Sequence, residues 1–217
     1  MKRFWNTFCA WLTPGVRGVL CVLAAAYAAD LGDRFTHACN LRGWLALSGA
    51  DFWRGQVWRI ITYPLLPVSP LDFFINGILI IMLGRWLERH WSRGQLWTCC
   101  GVAAVGAGLV KVLLQPFDAL SLSGAAPLVF GLLAAWGWLA GREKVSFGFG
   151  EMTARQAALL AAAASFLMIL LSAGLVQAVI LLSGGAIALG YLWLRLKLLL
   201  RRESWIVKSE RMSRLEL

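Results

Sequence analysis

Charged residues make up only 15% of the 217 residues, and the middles of the long apolar runs carry almost none. A small transporter or channel would need ionisable groups facing a cavity inside those runs, so that class ranks last. Acidic residues are scarcer than basic ones, 11 Asp and Glu against 21 Lys and Arg. The resulting net charge of +10 does not point to nucleic acid, because the basic residues cluster at the ends of apolar runs. There they anchor topology and meet anionic lipid headgroups. The five cysteines, Cys9, Cys21, Cys39, Cys99 and Cys100, have no metal-ligand spacing. Their odd number argues against a full disulfide framework. Neither a metal nor a cofactor is expected.

What the chain has instead is apolar surface: 59% of its residues are hydrophobic and 12 are Trp. That composition specifies an all-α, polytopic membrane protein rather than a soluble core. Six apolar runs stand out: about Leu12–Ala29, Leu71–Leu87, Leu96–Leu114, Gly124–Gly141, about Ala157–Leu171 and about Val176–Leu194. Each approaches the roughly 20 residues that cross a hydrocarbon core, with the fifth marginal. Ser172-Ala173-Gly174 leaves room only for a tight turn between the last two. The expected layout is a basic amino-terminal segment over residues 1–14, a membrane domain over 15–200 and a basic tail over 201–217.

The first run has two readings. A basic start, an apolar middle and Ala26-Tyr27-Ala28 resemble a cleavable signal peptide; the same residues also suit a retained span. Six spans with both termini cytoplasmic place sixteen Lys and Arg inside and five outside (Arg34, Arg42, Arg54, Arg59 and Lys111), as the positive-inside rule requires. Cleavage gains nothing in that balance, so six spans are retained, in a bacterial-type inner membrane. The long connection over residues 30–70, with Trp44, Trp53 and Trp58, reads as a segment lying in the membrane interface.

The run opening at Ser123-Gly124-Ala125-Ala126-Pro127 has a distinctive start. Ser123 can cap the helix through its hydroxyl, and Pro127 suits an early turn whose N–H lacks a helical partner. The small residues let neighbouring helices approach closely. Such a bare mouth serves helix packing, a site, or both.

Elsewhere, Gln56-Val57-Trp58-Arg59-Ile60-Ile61-Thr62-Tyr63-Pro64, Asn76 and Gly84-Arg85-Trp86-Leu87-Glu88 together resemble the rhomboid family of intramembrane serine proteases. Residues 15–200 fit its layout of six spans and a long first loop. Interface anchoring alone would also account for Trp58, Arg59 and Tyr63. The resemblance implies a nucleophilic Ser at the mouth of the fourth span and a His on the sixth that takes its proton. Aligned on Phe130-Gly131, Gly124 takes the motif's first glycine, Ala126 the nucleophile position and Pro127 the second glycine. A second frame places Ser123-Gly124-Ala125 on the motif but displaces Phe130 and Gly131. On the sixth span, alignment through Gly190-Tyr191 puts Ser183 at the histidine position. The family's His four residues before the Asn is Asp72 here, and Asn76 alone remains of the groups expected to stabilise an oxyanion.

The chain has two histidines, His37 and His90, and neither run position can serve a serine near residue 126. Lys111 could act as a base towards Ser121 or Ser123, as in Ser–Lys hydrolases, although a Lys near a span end usually snorkels to the interface. The favoured reading is a rhomboid-like pseudoprotease, similar in logic to derlins and the inactive rhomboids of animals. Its expected partners are membrane lipids and the transmembrane segments of clients, which the resemblance admits laterally near the second and fifth spans. The competing reading is an active intramembrane serine protease using Ser123. Gly124, Ala126, Gly185 and Gly190 are expected to face other helices.

Overall fold

The computed structural model describes residues 12–36, 39–118, 120–147 and 150–213; Cys9 and His37 lie outside them. Its elements are α1 (Pro14–Thr36), the short helices α2 (Leu41–Leu45), α3 (Gly49–Trp53) and α4 (Arg59–Thr62), and a 3-10 turn (Tyr63–Leu65). Then come α5 (Pro70–Glu88), α6 (Arg93–Leu114), α7 (Ala126–Leu139), strands β1 (Lys144–Phe147) and β2 (Gly150–Thr153), α8 (Ala154–Ala173) and α9 (Leu175–Ser213).

Local chemistry sets the boundaries. Ser69 caps α5, its hydroxyl accepting from the Asp72 amide at 3.1 Å, with Pro70 in the first turn. Reciprocal capping boxes open α6 (Ser92 with Gln95) and α8 (Thr153 with Gln156). Gly174 adopts φ 86°, a conformation costly for other residues, and so turns α8 directly into α9.

Five helices, α1, α5, α6, α8 and the Leu175–Leu199 part of α9, are long and apolar enough to cross a membrane. The sixth apolar helix, α7, is shorter. Expected over Gly124–Gly141, it has only 14 residues, rising about 21 Å against a hydrocarbon core of about 30 Å. At its start, Gly124 at φ 108° holds the chain out of helical geometry. The fifth helix, expected to be marginal, has 20 residues because its capping box starts it at Ala154.

α7 is central, packing against α5, α6, α8 and α9. Leu83, Leu87, Leu96, Ala103, Leu132 and Ala188 form the heart of the core around it. Backbones approach through small residues: a side chain at Gly131 would meet Ala103, one at Gly106 would meet Ile187, and one at Gly184 would meet Pro127. α9 therefore runs parallel to α7 and offers it Gly184, Gly185 and Ala188.

Two expectations are corrected, one about the hairpin and one about Gly190. The fold is not purely α-helical: β1 and β2 pair antiparallel, from Lys144 with Thr153 to Phe147 with Gly150, between α7 and α8. The connection over residues 30–70 folds into a lid with short helices of its own. Helix α9 itself runs on to Ser213, into the basic tail. Gly190 is exposed, with nothing within 4 Å of where a Cβ would stand, so it does not face another helix. Two residues beyond Ala188, it lies around the far side of α9.

Candidate functional site

The lid is fastened by buried polar groups. Arg59 is 6% exposed; its guanidinium donates to the Ala46 carbonyl at 2.7 Å and to Gln56 Oε1 at 2.6 Å, and pairs with Asp51 at 3.2 Å. Tyr63 is fully buried and donates its hydroxyl to the Ala104 carbonyl of α6 at 2.8 Å. Arg59 and Tyr63 are thus internal fasteners rather than interface anchors, whereas Trp58 is exposed and donates only to the Trp44 carbonyl. The lid is also stitched to the segment leading into α7: Leu47 and Leu122 exchange backbone hydrogen bonds, and the Gly124 amide donates to the Tyr63 carbonyl at 3.2 Å. Gly49 has no side chain because the Gln115 carbonyl occupies that space.

Beneath the lid lies the mouth of α7. Ala125, not Ser123, is its cap residue, and no side chain caps it. Ala126 is the first helical residue and half-buried. Gly184 of α9 abuts the next residue, Pro127, which sets Ser183 level with Ala126. The Ser183 hydroxyl donates back to the Ile180 carbonyl at 2.6 Å, so it is engaged along its own helix. On α5, Asn76 is buried and donates its Nδ2 to Asp72 Oδ1 at 2.8 Å. The same carboxyl group accepts from the Val68 amide at 3.2 Å. That bond engages one of the amide's two N–H groups and sets a carboxyl group beside any oxyanion the other could meet. The space enclosed by Pro64, Asp72, Asn76 and Ala125 is about 10 Å³, the size of a single water.

The other candidate groups are occupied or distant. Lys111 is 1% exposed and does not snorkel. Its ammonium donates to Gln115 Oε1 and pairs with Asp118 at 3.1 Å, not with Ser121 or Ser123. The Leu120 amide, followed by Lys111, holds the Asp118 carboxyl below its usual value. His90 stacks on Trp86 beyond the opposite end of α5. There the Gly84–Glu88 motif binds α1: Glu88 accepts from the Gly15 and Val16 amides at 2.7 and 3.1 Å, capping the helix with an anion. Gly84 lets Val16 pack against the backbone.

The remaining motif positions serve packing, since Gly131 meets Ala103 and the Phe130 backbone meets Gly185. One cluster has no signal in a single sequence. Asp30, 1% exposed near the end of α1, pairs with Arg34 at 2.9 Å and with Arg42 of the lid at 3.0 Å. Arg42 also donates to the Pro67 carbonyl at 2.6 Å. The two residues stand 12 apart in sequence, a separation that no periodicity reveals.

Among the described residues, then, the mouth of α7 holds small side chains and one amide bonded to one carboxyl group, with no imidazole in reach. The family described as eukaryotic integral membrane protein (DUF1751) matches residues 17–197. The chain belongs to this family. It is accordingly an integral membrane protein, and the match spans every long apolar helix from within α1 to within α9. The family's eukaryotic description gives no support to a bacterial-type membrane. No curated protein matches the chain.

Proposed function

We propose that the chain is a rhomboid-like pseudoprotease, a six-span membrane protein that binds or escorts transmembrane clients without cutting them. The observation that carries this reading is Ala126 at the head of α7, level with a Ser183 whose hydroxyl is engaged by the Ile180 carbonyl. A serine without a base is a weak nucleophile, and here the nucleophile position has no hydroxyl at all. With α7 counted as a crossing, both termini share the side bearing Arg85, Arg89, Arg93, Arg142 and Arg155, which the positive-inside rule makes cytoplasmic.

Clients would be received between α5 and α8. α5 exposes Leu71, Phe74, Ile78 and Met82 to lipid, and α8 exposes Leu160, Met168 and Leu171. The short α7 favours a locally thin bilayer, because a short hydrophobic length is met partly by bilayer deformation. The test is site-specific photocrosslinking from Phe74 and Met168 in membranes, followed by identification of adducts. Discrete membrane proteins captured intact support the proposal; processed fragments or lipid adducts alone contradict it. The active-protease reading would need Ser123 beside a proton acceptor. The nearest candidate, Lys111, is bound to Gln115 and Asp118.

A further inference from the structure

A second space opens on the flank of α7 away from the lid. A lateral groove of about 710 Å³ lies between α7, α8 and α9, walled by apolar groups such as Leu133, Trp138, Leu159, Ala162, Leu182 and Leu189. It exists because α8 meets α7 closely only near its start, where Gly137 receives Ala158. Along α8 only Ala154 and Ala158 are buried. Beyond them no residue of the helix is fully buried. Two arginines complete the lining, Arg142 just after α7 and Arg155 in the first turn of α8. Among the described residues neither has an acidic partner in a salt bridge, unlike Arg34, Arg42, Arg54 and Arg59.

Dimensions and charge select the occupant. Along α7 the groove runs from Phe130 to Gly141, a rise of about 16 Å and about half of a 30 Å hydrocarbon core. That is one leaflet, the reach of one acyl chain from headgroup level to midplane. Paired guanidiniums at the headgroup end match a phosphate-bearing anion, and apolar walls match its tail.

We propose that this groove is a binding site for one anionic phospholipid, its phosphate held by Arg142 and Arg155 and one acyl chain lying between α7, α8 and α9. The site is independent of the mouth and of any client.

The test uses the full-length protein in mild detergent, with phosphatidylglycerol and phosphatidylcholine titrated separately and bound lipid counted by native mass spectrometry. Wild type should prefer phosphatidylglycerol by roughly tenfold or more. R142Q/R155Q should abolish the preference, while R89Q/R93Q, which removes the same charge from the same end, should retain it. Equal retention of both lipids by wild type, or equal loss in both double variants, would overturn the site in favour of diffuse attraction. Photocrosslinking of wild type with a phosphatidylglycerol carrying a diazirine on its acyl chain gives a readout independent of variant folding. Label on Leu159, Ala162 or Leu182 supports the site; label spread over α1 and α5, or displacement of the probe by a transmembrane peptide, refutes it.

Discussion

Between α1, α5 and the mouth of α7 the free volume is about 10 Å³; between α7, α8 and α9 it is about 710 Å³. The first space lies under a lid fastened by Arg59 and Tyr63 and stitched to α7 through backbone hydrogen bonds. The second is walled mainly by apolar side chains and opens beside two arginines. A rhomboid-like chain would do chemistry in the first, yet that space is nearly filled and its amide and carboxyl group are hydrogen-bonded to each other. Room for a ligand lies on the other side of α7. The same central helix thus carries a closed mouth on one flank and an open groove on the other.

The sharpest way to break this contrast is to enlarge a residue on each flank. Gly131→Leu pushes a side chain into Ala103, whose Cβ would stand 2.5 Å from the new Cβ. It should cost about 3 kcal/mol or more, or prevent folding. Ala162→Leu in the groove and the exposed Gly190→Leu should each change stability by no more than about 0.5 kcal/mol. Thermal unfolding of the three variants in one detergent checks this; similar losses at residues 131 and 162 would mean that the groove is not open.

A smaller effect is expected at the lid. Arg59→Met leaves Asp51 and the Ala46 carbonyl without their buried partner and should cost about 2–4 kcal/mol. Protease sensitivity between residues 45 and 65 should rise while the α7–α9 contact stays intact. Wild-type resistance in that variant would show that the lid is held by packing alone.

The smallest effect concerns pH. Because the Asp118 carboxyl is held below its usual value, its contribution to stability is full above the unfolded value, near 4, and is lost as pH falls through the lower folded value. Between pH 5 and pH 3 the melting temperature of wild type should therefore fall more than that of Asp118→Asn. Equal slopes would remove the Lys111–Asp118 pair from the account.

The apolar runs made most helices legible, and Gly174 marked the α8–α9 turn, because periodicity, length and glycine conformation are local properties. Fastening was not legible. Asp30 of α1 pairs with Arg42 of the lid, and Lys111 is buried because Gln115 and Asp118 return to it. Glycines were visible but their faces were not: Gly184 and Gly190 read alike in sequence, yet one abuts Pro127 and the other faces open space. The hairpin over Lys144–Thr153 escaped notice because each strand has four residues, too few to show an alternation.

The central claim is that the mouth of α7 lacks a working nucleophile. Its most direct test is reaction of the wild-type protein, reconstituted in liposomes, with a fluorophosphonate probe, followed by peptide mapping. The account predicts no modified serine at probe concentrations that saturate an active rhomboid protease; specific labelling of Ser123, blocked by Ser123→Ala, would contradict it.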